Sequence, residues 1–324
     1  MKKMISAIMA LCIAACSLTA CGSNEEAKAD DGKIKIGIVQ IVEHTSLDSI
    51  RNSFIDNLAE QGFVDGDNIV IDYQNAQNDQ SNLNSICKKF VGDEVDLIVA
   101  IATPSAQAAA AATNEIPVLF SAVTDPVAAK LVTAPQHPSA NVTGTSDAIP
   151  VDQVFALCNE LTPEVKKIGF LYTASEVNSK SVVDQAKTYT AQYGLEYEEM
   201  TITNTSELKQ AATSLVEKCD AVYCPIDNSI ASAMATLAQV GRDSKTPIYV
   251  GADSMVIDGG YATVGINYED LGAKTADMAV QILNGTPISE IPVSTLDDFQ
   301  MVINKTTADM IGAPNNYEGA VIVE

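Results

Sequence analysis

Two successive stretches of this chain carry the same alternation of strand and helix in the same order, and that repetition limits the fold more than any other feature. Short apolar runs bounded by Gly, Pro, Asn or Asp alternate with longer stretches of helical spacing. In the first half the pattern predicts strands near 34–40, 69–73, 95–101 and 117–122, with helices near 47–61, 83–91 and 105–113. In the second half it predicts strands near 167–172, 195–201, 221–225 and 247–250, with helices near 179–192, 207–218 and 230–241. Local detail agrees as well. Ile36-Gly37-Ile38-Val39 answers Ile168-Gly169-Phe170-Leu171, Asp96-Leu97-Ile98-Val99 answers Asp220-Ala221-Val222-Tyr223, and Ile116-Pro117-Val118-Leu119 answers Thr246-Pro247-Ile248-Tyr249. Two α/β lobes are expected, each a doubly wound parallel sheet with helices on both faces.

Further runs at 262–265, 300–303 and 321–323, with a helix near 268–284, follow two complete lobes. The chain is therefore expected to return to the first lobe and then the second, through a multi-strand hinge with crossings near 146–150, 265–268 and 294–298. This divides it into 34–146 with 268–294 as one lobe and 147–267 with 295–324 as the other.

The N-terminus has a different character. Lys2 and Lys3 precede an apolar run from Met4 to about Ala15, ending in Leu18-Thr19-Ala20-Cys21, the order of a secretory signal with a small-residue cleavage site. A cysteine directly after Leu-Thr-Ala resembles the bacterial lipobox, so 1–20 is expected to be removed and Cys21 to carry lipid. The polar stretch 21–33 cannot bury enough surface to fold and reads as a tether. The protein is then extracytoplasmic and held at the cell membrane by its lipid alone, since no second long apolar segment follows.

Loss of Lys2 and Lys3 leaves 17 basic against 42 acidic residues, a formal charge of −25. Such a surface repels nucleic acid and anionic lipid. Export permits disulfides, but a strand across Ala221-Val222-Tyr223 would hold Cys219 and Cys224 about 16 Å apart, too far to bridge. With His44 and His137 the only histidines and no C-x-x-C, a zinc site is not expected. Cys87, Cys158, Cys219 and Cys224 are expected to be small buried hydrophobes.

Ligands of open parallel sheets gather outside the carboxyl ends of the strands, where loops lead into helix N-termini rich in free N–H groups. The loops at those places supply Gln40, Ser46 and Leu47, then Thr103 and Ser105, then Ser121, Ala122 and Asp125 in the first half. The second half supplies Glu176 and Asn178, Asp227 and Asn228, and Asp253. None of these loops contains Lys or Arg, so a phosphorylated ligand fits poorly. A zwitterion fits well: helix-terminal N–H groups with Ser46, Thr103 or Ser105 suit a carboxylate, and Asp125, Asp227 or Asp253 an ammonium. Each group alone equally suits a helix cap or turn.

No enzymatic motif accompanies them. There is no G-x-G-x-x-G and no G-x-x-x-x-G-K, and no cofactor is expected. Gly144-Thr145-Ser146-Asp147-Ala148 approaches G-x-S-x-G without its second glycine, and His44 beside Ser46 on one loop makes no triad. Asp125, Asp227 and Asp253 resemble glycosidase acids only in type, and ligand anchoring suits them better.

These loops resemble a family of ABC-transporter substrate-binding proteins whose known members bind tryptophan or tyrosine, over nearly the whole chain beyond the tether. The resemblance is carried by His44-Thr45-Ser46-Leu47-Asp48, Ala102-Thr103-Pro104-Ser105-Ala106-Gln107 and Ser121-Ala122-Val123-Thr124-Asp125-Pro126. It continues in Asn141-Val142-Thr143-Gly144-Thr145-Ser146-Asp147, Ser175-Glu176-Val177-Asn178-Ser179 and Asp227-Asn228. It implies a type I periplasmic-binding-protein fold, closure of two lobes on an aromatic amino acid, Ser146 and Asp147 as further ligand contacts, and delivery by a monomer to a permease with a cytoplasmic ATPase. Two positions depart from the family pattern: Thr45 stands where proline is usual, and Gly251-Ala252-Asp253 replaces a turn that commonly contains glutamate. Phe120, Tyr172 and Tyr223 are candidates for an aromatic wall, and each equally suits core packing. Two other readings stand beside the transport receptor: a binding module for a sensor or adhesin, and a hydrolase on the same lobes.

Overall fold

A computed structural model describes residues 32–136, 138 and 141–324. The expected signal segment, Cys21 and all of the tether but Gly32 and Lys33 lie outside the described residues, as does His137. Residues from Ile34 to Glu324 form one compact unit.

The chain opens with β1 (Ile34–Gln40), α1 (Thr45–Glu60), β2 (Ile69–Asn75), α2 (Gln80–Gly92), β3 (Leu97–Ile101), α3 (Thr103–Ala112), β4 (Val118–Ser121) and β5 (Val142–Ser146). It continues through α4 (Val151–Leu161), β6 (Lys167–Thr173), α5 (Val177–Gln192), β7 (Glu196–Ile202), α6 (Leu208–Val216) and β8 (Ala221–Cys224). Next come α7 (Asn228–Ala231), α8 (Met234–Ser244), β9 (Ile248–Val250), α9 (Asp253–Ile257) and β10 (Ala262–Gly265). The last elements are α10 (Tyr268–Leu283), β11 (Ser294–Thr295), β12 (Gln300–Asn304), α11 (Lys305–Ile311) and β13 (Val321–Val323).

These strands form two sheets, in the orders β11-β5-β4-β3-β1-β2 and β13-β12-β10-β9-β8-β6-β7. All pairings are parallel except β10 with β12. The expected two-lobed, doubly wound α/β fold is present. Each sheet's order reverses once, between β1 and β3 in the first and between β6 and β8 in the second. Loops diverge to opposite faces at such a switch point and leave a crevice at the carboxyl ends of the strands.

Central strands are apolar without alternation because helices cover both faces: all five residues of β3 are buried. Helix α1 turns Leu47, Ile50, Phe54 and Leu58 inward at helical spacing, each fully or nearly fully buried. Burying each such side chain contributes about 1.5–3 kcal/mol. Across them lies α10, close enough that a Cβ on Gly272 would stand 2.5 Å from the Ile50 carbonyl oxygen. All four described cysteines are buried and free.

The structure also differs from the sequence pattern. The predicted helix at 230–241 is two helices, because Asp227 caps a single turn, α7, and Ser232 then bonds back to the Ser229 carbonyl at 2.7 Å. Residues Val142–Ser146, rich in hydroxyls and lacking an apolar run, are a fully buried strand. Gly144 is needed there for close approach: a Cβ would lie 1.9 Å from the Phe120 carbonyl oxygen, so its place in a near-motif is packing. Helices α4, α9 and α11 were not legible as helices, α9 being only five residues long. The candidate wall residues lie in lobe cores. Tyr223 packs on Phe155 and Phe170 with ring centroids 5.8 and 6.3 Å away, Phe120 faces Gly144, and Tyr172 donates to Glu199 of β7.

Candidate functional site

The carboxyl ends of the two sheets face each other, and hydrogen bonds join their loops. Thr45 Oγ1 donates to Asp258 at 3.0 Å, the Ser46 and Ser254 hydroxyls bond to each other, and Asn78 Nδ2 donates to Ser229 at 3.1 Å. Ser181 Oγ donates to Asp125 Oδ2 at 2.6 Å. His44 Nε2 meets Asn228 Oδ1 at 3.4 Å. No ion pair crosses between the lobes among the described residues, so neutral and singly charged hydrogen bonds hold them together.

Several candidate residues are consumed by the fold. Gln40 donates to the Val42 carbonyl and Asp48 at 2.8 and 2.9 Å and accepts from Arg51 at 3.3 Å. Leu47 is core. Ser121 forms a buried hydroxyl triangle with Thr145 and Thr275, with sides of 2.9 to 3.1 Å, that ties α10 to the first sheet. Ser146 donates to the Thr124 carbonyl at 3.0 Å. Asp125 accepts from Ala128 N at 2.8 Å besides Ser181.

Asp227 is the most constrained group. It accepts from Thr173 N, Thr173 Oγ1, Ser179 Oγ and Ile230 N at 2.7 to 3.0 Å, which fills the acceptor directions of a carboxylate. Glu176 is likewise filled, by Asn178 Nδ2, Asn228 N and Nδ2, and Ser229 N and Oγ. Burial, with the Glu176 charge beside it, pushes the Asp227 carboxyl up to about 7. Neither carboxylate has a Lys or Arg partner among the described residues, and both act as anchors for α7 and its approach.

Asp147 and Asp253 lie near the chain crossings. Asp147 accepts from Thr124 Oγ1 at 2.8 Å and Tyr268 OH at 3.3 Å, and burial raises its carboxyl to about 6. Asp253 accepts from Ser254 N at 2.6 Å and is also raised by burial to about 6. Tyr268 was not legible as a site residue, since only the returning α10 brings it to Asp147.

A few buried polar atoms have no partner among the described residues: Thr103 Oγ1, Ser105 Oγ, Asn178 Oδ1 and His44 Nδ1 flank the two switch points, while Tyr223 OH sits in the aromatic core. Thr103 and Ser105 open α3 after β3, and Asn178 opens α5 after β6. Because Asn228 Nδ2 donates to Glu176, its Oδ1 is free to accept, and the His44 proton then sits on Nε2, leaving Nδ1 an acceptor. Burial holds the His44 imidazole below its ordinary range. Backbone strain gathers here too. Ala102, which precedes α3, has φ 77 and ψ 157, and Ala122 has φ 56. Such conformations cost on the order of 1–3 kcal/mol each and cluster at binding sites.

A family model described as ABC transporter substrate binding protein matches residues 35–316. A tyrosine-binding protein of Clostridioides difficile (strain R20291) is 46% identical over 314 residues, covering 94% of this chain and 91% of that protein. The crystal structure of an ABC domain in complex with L-Trp from Streptococcus pneumonia matches with TM-score 0.87 at 41% identity, covering 90% of this chain and 100% of the other. The ligand-free, open structure of a substrate binding protein with adhesive properties from Clostridium difficile covers similar lengths, 90% and 99%, at 45% identity, yet its TM-score is 0.69. With a type I periplasmic-binding-protein fold, two facing switch-point crevices and a match along nearly its whole folded length, the chain belongs to the family of ABC transporter substrate-binding proteins.

Proposed function

We propose that this protein captures an aromatic amino acid, tyrosine, tryptophan or phenylalanine, by closing its two lobes on it, and hands it to the permease of an ABC importer. The observation that carries this is the set of unpartnered buried polar atoms, Thr103 Oγ1, Ser105 Oγ, Asn178 Oδ1 and His44 Nδ1, at the switch points of two facing sheets. No Lys or Arg accompanies them on these loops, which disfavours phosphorylated ligands and suits a zwitterion. The relatives that bind tyrosine and tryptophan support the aromatic class. Closure follows from differential affinity: each lobe offers some contacts, and only the closed state satisfies all of them. The lobes, 34–146 with 268–294 and 147–267 with 295–324, move about the chain crossings. Cys21 carries the lipid that keeps the protein extracytoplasmic at the membrane, as Leu18-Thr19-Ala20-Cys21 suggests. No helix among the described residues is long and apolar enough to cross a membrane.

The test is the melting temperature of the chain from Gly32 onward, stripped of ligand by unfolding and refolding, against the common amino acids and several sugars. Saturation near a hundred times Kd adds about 2.7 kcal/mol and raises the midpoint by several degrees. A rise confined to aromatic amino acids is the expected result. A rise only with a sugar would overturn the ligand class, and no rise with any compound would overturn the transport role. An adhesin role is favoured as a second reading by one relative, described as a substrate binding protein with adhesive properties.

A further inference from the structure

The loop that follows β2 is pinned within the first lobe and aims one side chain out of it. Ala76 N donates to the Gln40 carbonyl at 2.9 Å, Asn78 N to the Ile41 carbonyl at 2.7 Å, and Gln77 N to Asn75 Oδ1 at 2.7 Å. Between these ties Gln77 and Asn78 both take left-handed conformations, with φ 55 and 59. L residues avoid that backbone shape, and Asn and Asp tolerate it best. Among the described residues the Asn78 side chain bonds only to Ser229, at the start of α7 in the second lobe.

The direction of this bond is set by what Ser229 already holds. Its hydroxyl has one proton, and two acceptors stand near: Glu176 Oε1 at 2.9 Å and Asn78 Oδ1 at 3.4 Å. The closer, charged acceptor takes the proton. Ser229 Oγ therefore accepts from Asn78 Nδ2, at 3.1 Å, and Asn78 polarises the hydroxyl that serves Glu176. A second first-lobe donor arrives by the same route. His44 Nε2 meets Asn228 Oδ1 at 3.4 Å, while Asn228 Nδ2 donates to Glu176 at 2.7 Å. Both contacts from the first lobe thus end on residues that hold one buried carboxylate, and both are lost when the lobes part.

We propose that Asn78 is a positioning residue of the closed state: without contacting the ligand, it couples lobe closure through Ser229 to the Glu176 carboxylate and sets how long a bound ligand stays. This rests on the closure reading above and extends it by naming a residue that governs release and not capture. Encounter takes place with the lobes apart, where Asn78 and Ser229 do not meet, so the association rate is unaffected.

Two variants separate this role from service to the left-handed turn alone, because Gly and Asp both keep such a turn. Gly removes the amide donor. Asp offers only acceptors to a hydroxyl whose proton is committed, and adds a charge facing Glu176. Release of radiolabelled tyrosine, tryptophan or phenylalanine, whichever the ligand-stripped wild type binds, is followed after adding excess unlabelled ligand, and calorimetry supplies Kd. Asn78→Gly should speed release about threefold to tenfold, and Asn78→Asp more, with association rates within about twofold of wild type. Ser229→Ala should also speed release, and adding Asn78→Gly to it should change little, since the donor then has no acceptor. Melting of each ligand-stripped variant verifies folding. Unchanged release in Asn78→Gly, an Asn78→Asp variant that behaves as wild type, or additive effects of Asn78→Gly and Ser229→Ala would overturn the assignment while the amino-acid reading stands. Wild-type protein that binds no aromatic amino acid would overturn both.

Discussion

Asp227 shows how a polar residue at a strand end is divided between fold and ligand. From sequence it is one of three carboxylates suited to an ammonium; in the structure its oxygens receive four protein donors, two of them backbone N–H groups. Asp227→Ala strands Thr173 N and Ile230 N in a buried place, at about 1–3 kcal/mol for each unsatisfied donor. We therefore expect a large drop in the melting temperature of the ligand-free protein, with any loss of affinity secondary to it. A variant that keeps its melting temperature and loses binding would instead return Asp227 to direct ligand contact. Asp125→Ala is a milder change, because the side chain is partly exposed and its bonds are to Ala128 N and to Ser181 across the lobes. It should leave stability nearly unchanged and speed ligand release, measured by stopped-flow displacement. The sequence could list these carboxylates because strand ends are predictable from periodicity. Which of them the fold consumes depends on partners such as Thr173 and Ser179, which only the assembled lobe brings within reach.

Among the elements, long apolar or helical stretches were readable and short or hydroxyl-rich ones were not. β1 and α5 coincide with their periodic patterns to within a few residues, whereas β5, built from Val-Thr-Gly-Thr-Ser, shows no apolar run at all. Its burial comes from neighbours on both sides, β4 and β11, and from the Thr143 hydroxyl donating to the Ile291 carbonyl at 2.6 Å. The return of α10 to the first lobe is fixed by its contact with α1 at Gly272. Gly272→Ala places a methyl against the Ile50 backbone, which cannot move aside as a flexible side chain can. Overpacking of this kind costs about 1–3 kcal/mol, to be read from denaturant unfolding of the ligand-free protein. An unchanged midpoint would mean that the two helices stand further apart than described.

At the scale of the whole molecule, the buried carboxyls set a pH dependence. Asp147 and Asp253 are raised to about 6 and Asp227 to about 7, all above the ordinary value of 3.8. Between those limits the folded state holds more protons than the unfolded one, so this contribution is full below the unfolded value and lost as pH rises through 6 to 7. His44 acts oppositely: its lowered value removes stability as pH falls below its ordinary range, against the neighbouring charges of Glu176, Asp48 and Asp258. Three carboxyls outweigh one imidazole. The ligand-free protein should therefore melt higher near pH ~5.5 than near pH ~8; a lower midpoint at the acid pH would contradict these environments.

The central claim is that closure buries an aromatic amino acid between the lobes. The protein contains no tryptophan, so emission from added L-tryptophan reports the ligand alone. Titrating ligand-stripped protein into a fixed concentration of L-tryptophan, excited where tyrosine absorbs little, should give a saturable blue shift that L-tyrosine or L-phenylalanine reverses. An emission spectrum that stays at its free position, with no competition from either amino acid, would contradict the account.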